Sequence, residues 1–365
     1  MQNKKIAIFM PSLRGGGAER VIVNLLKGFS KRNIDVDLVV AKAEGPYLCK
    51  VPDDIRLIDL KANSVLLSLP ALVYYLRKVK PASLLSVMDH CNIVALWAKA
   101  ISGMPVKSVF SIHNTLSQET ADGRSFKVKF FPILIRLFYG FADEIIAVSQ
   151  GVANDLCSFC RVDKSKIKVI YNPVITPDLF EMAKQINTDK MSFKPASSLV
   201  IGVGRLNRQK DFATLLRAFK IVVQSCKAEL AILGEGEERA SLETLIEDLH
   251  LNEQVKLYGF ANNPYAIMAK ASVFVLSSIY EGLPTVLIEA LALGVPVVAT
   301  DCKSGPKEIL GKVKSGKLVR VGNVEEMAHA IIETLSGNSK KAAKQSDLNS
   351  YTVDYAVKKY LELLR

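Results

Sequence analysis

The strongest constraint on the fold of this chain is a strand–helix–strand pattern centred near residue 285. Val273–Leu276 and Val295–Ala299 are short apolar runs of the kind that form buried parallel strands. The apolar segment between them is expected to be a helix that Gly294 ends. A polar loop with Glu281 and Gly282 follows the first strand. In open parallel sheets, ligands bind at this end of the strands.

Glu289 is the only polar side chain between Thr285 and Gly294, and Pro284 occupies the expected first position of the helix. A helix that is apolar on all sides is buried. Because a buried carboxylate without a hydrogen-bond partner is strongly destabilising, Glu289 needs a donor. A protein donor, a narrow exposed stripe or a bound ligand would each satisfy this need.

Apolar runs alternate with helical patterns along the whole chain, and a length of 365 residues predicts about two domains. The alternation is typical of doubly wound parallel sheets, so the predicted fold class is α/β. The predicted strands are Lys5–Met10, Val36–Val40, Ser83–Val87, Val106–Ile112, Glu144–Val148, Lys168–Tyr171, Leu199–Gly204, Glu229–Leu233, Val255–Gly259, Val273–Leu276, Val295–Ala299 and Lys317–Val319.

The boundary between the predicted domains lies near Asn172, Pro173 and Pro177. We place the first Rossmann-like domain at residues 1–178 and the second at 179–350, with a polar linker at Ala183–Ser198. The final helix, at about 351–365, is expected to pack on the first domain. Two such domains are expected to face each other across a central cleft, which is a common type of ligand site.

Positive charge is concentrated in the first half of the chain. Residues 1–178 contain 24 Lys and Arg against 15 Asp and Glu, whereas residues 179–365 contain 24 against 21. This excess favours an anionic partner such as a phosphorylated substrate, a membrane surface or nucleic acid. A basic surface without a specific partner is the alternative, and no nucleic-acid-binding motif is recognisable.

Several other classes of protein are disfavoured. Ile6–Met10 is too short for a signal-peptide core and predicts a first strand. The longest uncharged run, Ala62–Leu76, is shorter than a membrane span. Six scattered cysteines suit a reducing cytoplasm. Cys157 and Cys160 form a lone C-x-x-C, which predicts two helix positions rather than metal ligands.

The glycine-rich turn Gly15–Arg20 does not fit a dinucleotide-binding motif. It lacks the third glycine, and the strand Val36–Val40 runs into Ala41 and Lys42 without an acid to hold a ribose. No P-loop motif is present in the sequence. Small residues at a helix N-terminus still allow the backbone to approach an anion.

Arg205 and Lys210 directly follow the first predicted strand of the second domain. In a doubly wound sheet their loop can be the neighbour of the loop that carries Glu281. Two cations at that position could hold a diphosphate, Arg through its planar fork and Lys as a point charge. Either cation alone could equally be a solvated loop residue.

Four ordered motifs resemble the large family of retaining, nucleotide-sugar-dependent glycosyltransferases of family 4, whose GT-B fold has two Rossmann-like domains. The motifs are G-G-A-E-R at 16–20, G-R-L-x-x-x-K at 204–210, G-E-G-E at 234–237 and E-G-L-P-T-V-L-I-E at 281–289. Glu281 and Glu289 match the E-x7-E signature of that family. The resemblance runs from Gly16 to about Val321 and is strongest to bacterial enzymes that build lipopolysaccharide, capsule or lipid-linked oligosaccharides.

The resemblance implies a donor site in the second domain. Glu289 would accept hydrogen bonds from the ribose of the nucleotide, and Glu281 would hold hydroxyl groups of the donor sugar. Backbone amides around Leu283 and Thr285 would point at that sugar or at the diphosphate.

The resemblance also implies how the leaving group is held. Arg205 and Lys210 would neutralise the diphosphate, and Gly16 and Gly17 would approach it from the first domain. His113 matches a histidine that the family places near the donor sugar, although a lone loop histidine is more often structural.

The acceptor side is expected to include Asp89 and His90, which follow the predicted strand Ser83–Val87. At Ser304 and Gly305 the chain departs from the family, because many relatives have two glycines there.

The implied reaction is attack of an acceptor hydroxyl on the anomeric carbon of a nucleotide sugar, by default a UDP-sugar, with retention of configuration. It needs no cofactor and no metal ion, since the cations of the protein would stabilise the diphosphate. Two enzymes of other classes, a sugar-nucleotide epimerase and a phosphorylase, can share the fold. A basic nucleic-acid-binding protein is a further alternative.

The segment from Arg124 to Tyr139 combines basic and bulky apolar residues. Such a helix could lie on an anionic membrane surface, and a core helix with solvated basic residues is the alternative. The expected location is therefore the cytoplasm, including the inner face of the membrane. A polyprenyl-diphosphate or lipopolysaccharide acceptor would suit that location.

Overall fold

The computed structural model describes residues 5–122, 126–185, 197–313, 315–337 and 343–365, with the backbone alone for residues 122 and 126–131. These residues form two compact units. Unit 1 contains the chain up to Val174 together with Ser350–Arg365, and unit 2 contains Ile175–Asn349. The chain leaves unit 1 four residues before the predicted boundary at 178, and its final helix lies in unit 1.

Each unit is built on one parallel sheet. The strand order is β3-β2-β1-β4-β5-β6-β7 in unit 1 and β10-β9-β8-β11-β12-β13 in unit 2. The strands are β1 (Ile6–Met10), β2 (Val36–Val40), β3 (Arg56–Asp59), β4 (Ser83–Val87), β5 (Lys107–Ile112), β6 (Glu144–Ala147), β7 (Ile167–Val169), β8 (Ser198–Val203), β9 (Ala228–Leu233), β10 (Val255–Gly259), β11 (Val273–Leu276), β12 (Val297–Thr300) and β13 (Lys317–Val319).

Helices connect most of the strands, and in unit 1 they cover both faces of the sheet. They are α1 (Gly17–Ser30), α2 (Leu69–Val79), α3 (Asp89–Ser102), α4 (Leu116–Asp122), α5 (Phe126–Phe138), α6 (Gln150–Cys160), α7 (Pro177–Lys184), α8 (Phe212–Ser225), α9 (Arg239–Asp248), α10 (Tyr265–Met268), α11 (Thr285–Ala292), α12 (Pro306–Val313), α13 (Val324–Leu335) and α14 (Val353–Leu364).

The central strand β1 shows why the apolar runs of the sequence are continuous. Ile6, Ile8 and Met10 belong to the core that includes residues of α1 and α14. Ala7 and Phe9 belong to the core on the opposite face, with residues of α2 and α3. A strand that is covered on both faces needs apolar side chains at every position.

The predicted doubly wound parallel fold is confirmed in both units. All twelve predicted strands are present, with ends that differ by at most two residues. The sequence missed β3, which pairs with β2 at the edge of the sheet and is mostly exposed. An exposed edge strand has no apolar run that would reveal it.

The connection between the units differs from the predicted linker at Ala183–Ser198. Its first residues end helix α7, and β8 begins at Ser198, while 186–196 lie outside the described residues. Cys157 and Cys160 lie on α6, as predicted, and all six cysteines are unbridged thiols. Among the described residues, no helix is both long and apolar enough to cross a membrane.

A buried carboxylate joins β2 to its neighbours in unit 1. Asp37 is fully buried and accepts hydrogen bonds from Arg56 Nε at 3.0 Å, Tyr75 OH at 2.8 Å and Lys5 Nζ at 3.2 Å. Burial by itself raises the pKa of Asp37, but the bonds from Arg56, Tyr75 and Lys5 outweigh it and lower the pKa below its ordinary value. The carboxylate is therefore charged and compensated.

We predict that Asp37→Asn lowers the free energy of unfolding by about 2 kcal/mol at pH 7, because it removes charge-assisted hydrogen bonds. Since the pKa of Asp37 is lower in the folded state, its contribution is present above about pH 4 and disappears as the pH falls below that value. Urea unfolding at pH 7 and in acid measures both effects.

Asp35→Asn is the matched control, because Asp35 pairs with the same Lys5 but is 43% exposed. Its free energy of unfolding at pH 7 should change by less than about 1 kcal/mol. Equal losses in the two variants would contradict the role assigned to Asp37.

Candidate functional site

The first group of predicted site residues meets at the carboxyl ends of β8 and β11, which are neighbours in the sheet of unit 2. Lys210 ends a short 3-10 turn after β8, and Glu281 lies in the loop after β11. Lys210 Nζ lies 2.5 Å from Glu281 Oε1. The predicted proximity of these two loops is therefore confirmed.

Further hydrogen bonds hold the two loops together. The backbone N–H of Ile279 donates to the carbonyl of Gln209 at 2.8 Å, and Gln209 Nε2 donates to the carbonyl of Tyr280 at 2.9 Å. Ser277 Oγ donates to the carbonyl of Lys210 at 2.7 Å. The sequence did not single out Gln209, and its only signal was its place in the same loop as Lys210.

The carboxylate of Glu281 is buried and held by two donors. Its Oε1 accepts hydrogen bonds from Lys210 Nζ and from Ser278 Oγ at 2.6 Å. Charge-assisted bonds of this kind compensate a buried carboxylate. The pKa of the nearby Cys302 thiol is raised to about 12, mainly by burial and also by the negative charge of Glu281. This cysteine is therefore an unreactive neutral thiol near pH 7.

Gly305 determines the course of the loop that carries Leu283. Its φ is +99°, and a Cβ atom there would lie 2.4 Å from Pro284 Cδ. The preceding Ser304 also has a positive φ, +67°. The chain therefore keeps a glycine at 305, where a Cβ atom would clash, and has a serine in place of the other glycine at 304. Helix α11 begins at Thr285, so Pro284 precedes the helix and does not occupy its first position.

Glu289 is buried in α11, as predicted, with 1% of its surface exposed. Tyr265 OH donates to Glu289 Oε1 at 3.3 Å. A protein donor, which the sequence had left open, is therefore present. No pattern in the sequence singles out Tyr265, because its contact with Glu289 joins two different helices.

Arg205 is exposed, just after β8. The G-E-G-E motif lies against the same loop, since Leu206 N–H donates to the carbonyl of Glu235 at 2.9 Å. A Cβ atom on Gly234 would lie 1.8 Å from the carbonyl oxygen of Gly204. The glycine therefore allows the two backbones to cross closely.

The second group of predicted site residues lies in unit 1. Gly16 and Gly17 form the start of α1, after β1. His113 follows β5, and its Nε2 lies 3.0 Å from Ser111 Oγ. Burial lowers the pKa of His113 to about 4, so its imidazole is neutral near pH 7.

Asp89 is the first residue of α3, and the next residue, His90, is exposed. Tyr139 OH donates to Asp89 Oδ1 at 2.7 Å. Burial raises the pKa of Asp89 to about 6, against the opposing effect of the Tyr139 hydrogen bond. The carboxyl group is thus poised to change charge near neutral pH.

Glu119, on α4, is a candidate that the sequence missed. It accepts a hydrogen bond from Asn114, and its pKa is raised to about 7 by burial and by the charge of Asp89. The only sequence signal was its position shortly after His113. Glu119 lies on the helix that follows β5, and Asp89 begins the helix that follows the neighbouring strand β4.

Two family descriptions together match nearly the whole chain. Residues 15–176 match "Glycosyltransferase Family 4", and residues 184–351 match "Glycosyl transferases group 1".

Two relatives that are similar to this chain along most of their length are named as glycosyltransferases. The chain is 32% identical to the N-acetylgalactosamine-N,N'-diacetylbacillosaminyl-diphospho-undecaprenol 4-alpha-N-acetylgalactosaminyltransferase of Campylobacter jejuni, over 93% of this chain and 92% of that protein. It is 26% identical to the lipopolysaccharide core biosynthesis glycosyltransferase LpsE of Rhizobium meliloti, over 89% and 87%. The crystal structure of Anabaena HepE in complex with UDP and glucose has a similar fold, with a TM-score of 0.77, 21% identity and 99% coverage of both chains.

We predict that Gly305→Ala lowers the free energy of unfolding of unit 2 by about 2 kcal/mol or more, because the methyl group is strained at positive φ and clashes with Pro284. Ser304→Gly should remain within about 0.5 kcal/mol of the wild type, since relief of positive φ offsets the greater freedom of glycine in the unfolded chain. Urea unfolding compares the two. A stable Gly305→Ala variant would contradict the close contact.

Proposed function

The chain belongs to the glycosyltransferases of family 4, and from that premise we propose that it moves a hexose or N-acetylhexosamine from a UDP-sugar to a hydroxyl group of a glycan or lipid-linked acceptor. The enzymes it resembles act in lipopolysaccharide and lipid-linked glycan synthesis. The choice of UDP is supported by the complex of HepE, a protein of the same fold, with UDP and glucose.

The observation that carries the proposal is the contact between Lys210 and Glu281. It brings a cation and a carboxylate together at the carboxyl edge of a parallel sheet, where such sheets bind ligands. A diphosphate needs cations, whereas sugar hydroxyl groups need acceptors such as carboxylates. This single pair provides both.

We assign the donor roles accordingly. Lys210 and the exposed Arg205 neutralise the diphosphate as it leaves, and Glu281 accepts hydrogen bonds from the sugar hydroxyls. The amides of Leu283 and Thr285 bind the sugar or the diphosphate. Glu289 binds the ribose diol, which requires its carboxylate to turn from Tyr265 towards the nucleotide.

In unit 1, the amides of Gly16 and Gly17 bind an anionic group at the start of α1. His113, neutral at pH 7, hydrogen-bonds the donor sugar. Asp89 and His90 contact the acceptor.

The proposed chemistry is a retaining transfer without a metal ion. The acceptor hydroxyl oxygen bonds to the anomeric carbon as the bond from that carbon to the phosphate oxygen breaks. Both events occur on the same face of the sugar, and the leaving phosphate takes the proton of the hydroxyl. Fixed cations act where negative charge develops, so no metal ion is needed for that charge.

A panel of nucleotide sugars, scored by thermal shift and then by product analysis with lipid-linked acceptors, tests the proposal. We expect one UDP-sugar to stabilise the protein and to yield a product with the anomeric configuration of the donor. Nucleoside diphosphate should be released only when acceptor is present, and chelators should not slow the reaction. Release without an acceptor, or an inverted product, would contradict the proposal.

We predict that Lys210→Ala lowers kcat by about 100-fold to 1,000-fold, because it removes a cation where the transition state builds negative charge. The measurement is steady-state transfer with both substrates saturating, after circular dichroism has shown that the variant is folded. Lys270→Ala, which removes an exposed lysine elsewhere in unit 2, should have wild-type activity. Unchanged turnover in Lys210→Ala would contradict the assigned role.

We further propose that unit 1 contacts an anionic membrane surface, as peripheral binding at the inner face of the membrane requires. The support is an apolar patch on and after α5, formed by Ile133, Leu137 and Phe141, which are 55%, 60% and 69% exposed. Arg136 is exposed beside them. Exposed apolar side chains next to cations suit the interface of an anionic bilayer. Residues 124 and 125 of the predicted segment Arg124–Tyr139 lie outside the described residues, and 126–131 are described by their backbone alone.

We predict that replacing both Ile133 and Leu137 with Ser weakens binding to phosphatidylglycerol vesicles about tenfold or more, because less apolar surface is buried. Co-sedimentation with the vesicles measures this. Phe260→Ser is the matched control, since Phe260 is 57% exposed but lies in unit 2. Equal binding by both variants would exclude the α5 patch as the contact.

A further inference from the structure

A chain of four hydrogen-bonded side chains leads from the interior of unit 1 to Asp89. Ser86 Oγ donates to Asn92 Oδ1 at 2.6 Å, and Asn92 Nδ2 donates to Tyr139 OH at 3.0 Å. Tyr139 OH in turn donates to Asp89 Oδ1 at 2.7 Å. All the donors point the same way, so each bond polarises the next.

The first three members of this chain are buried completely. Ser86 lies on β4, Asn92 on α3, and Tyr139 follows α5, so three elements of unit 1 contribute. The Tyr139 ring also packs edge-on against Phe110 at 5.2 Å between centroids. The Tyr139 ring and its hydroxyl are therefore held by packing and by hydrogen bonds on both sides. The Asp89 oxygen that accepts from this hydroxyl is held with it.

A purely structural role explains this arrangement poorly. Three polar side chains in the core could be replaced by apolar ones with little loss of stability, since a buried hydrogen bond contributes only modestly. The chain ends at a carboxyl group that is only partly buried, at the carboxyl end of β4. In this sheet the strand order reverses between β1 and β4, the point where doubly wound sheets bind ligands.

We infer that Tyr139, fixed by Asn92 and Ser86, is a positioning residue that orients the Asp89 carboxylate for the acceptor. The inference rests on the acceptor role proposed above for Asp89. It also narrows the class of acceptor. Because a carboxylate accepts hydrogen bonds, the part of the acceptor that binds at Asp89 is one with hydroxyl groups to donate, as a sugar has.

Tyr139→Phe tests this inference, because it removes the hydroxyl and keeps the ring. The KM for the acceptor should rise about tenfold, as expected for loss of a hydrogen bond to a charged group, with the KM for the donor unchanged. Tyr351→Phe is the matched control, since Tyr351 is another fully buried tyrosine of unit 1, and its kinetics should equal those of the wild type.

A double-mutant cycle with Asp89→Asn separates positioning from a general loss of packing. If Tyr139 acts through Asp89, adding Tyr139→Phe to Asp89→Asn should change the acceptor KM by less than about twofold. Independent, multiplying effects would overturn the inference. If Tyr139→Phe does not fold, Ser86→Ala replaces it, with a smaller rise expected in the same constant and no rise contradicting the inference.

The same cycle distinguishes the two levels of the proposal. If Asp89→Asn itself has a wild-type KM for the acceptor, the acceptor role of Asp89 fails, and the inference fails with it. If Asp89→Asn raises that KM while Tyr139→Phe behaves like Tyr351→Phe, only the positioning role fails. Failure of the proposed transfer reaction would instead appear in the wild type, as no product with any UDP-sugar.

Discussion

The ion pair between Lys210 and Glu281 is the interaction on which the candidate donor site depends. A carboxylate this well buried is stable only with strong donors, and Lys210 and Ser278 supply them. The pair joins the loops after β8 and β11, and hydrogen bonds of the Gln209 backbone carbonyl and side-chain amide reinforce that connection. Removing either partner would leave a largely buried charge without its counter-ion. The geometry of the loop is thus tied to the presence of both charges, which are also the groups that the proposed chemistry uses.

The pattern of apolar runs was enough to predict the sheets, because strands covered on both faces need apolar residues throughout. The same reasoning brought Lys210 close to Glu281, since neighbouring parallel strands end at the same edge. It failed at β3, an edge strand without an apolar run, and it missed that helix α7 extends into the first residues of the predicted linker. Local sequence patterns predict strands well when both faces of the sheet are covered. They predict poorly the strands at the edge of a sheet and the segments that connect elements.

The side-chain partners in the two groups of site residues could not be predicted from the sequence. Tyr265 and Glu289 are 24 residues apart, and Asn92 and Tyr139 are 47 apart. Such pairs form only when separate elements of the chain pack together. The sequence around one residue of a pair does not indicate which residue is its partner. The resemblance to family 4 suggested roles for Glu289 and Asp89. It did not reveal that a tyrosine hydroxyl donates a hydrogen bond to each carboxylate.

The most direct measurement of the donor site is a crystal structure with a non-hydrolysable UDP-sugar. We expect Lys210 Nζ to lie within about 3.2 Å of a diphosphate oxygen and Glu281 to accept hydrogen bonds from sugar hydroxyls. A nucleotide sugar bound with its diphosphate away from Lys210 and its sugar away from Glu281 would contradict that expectation.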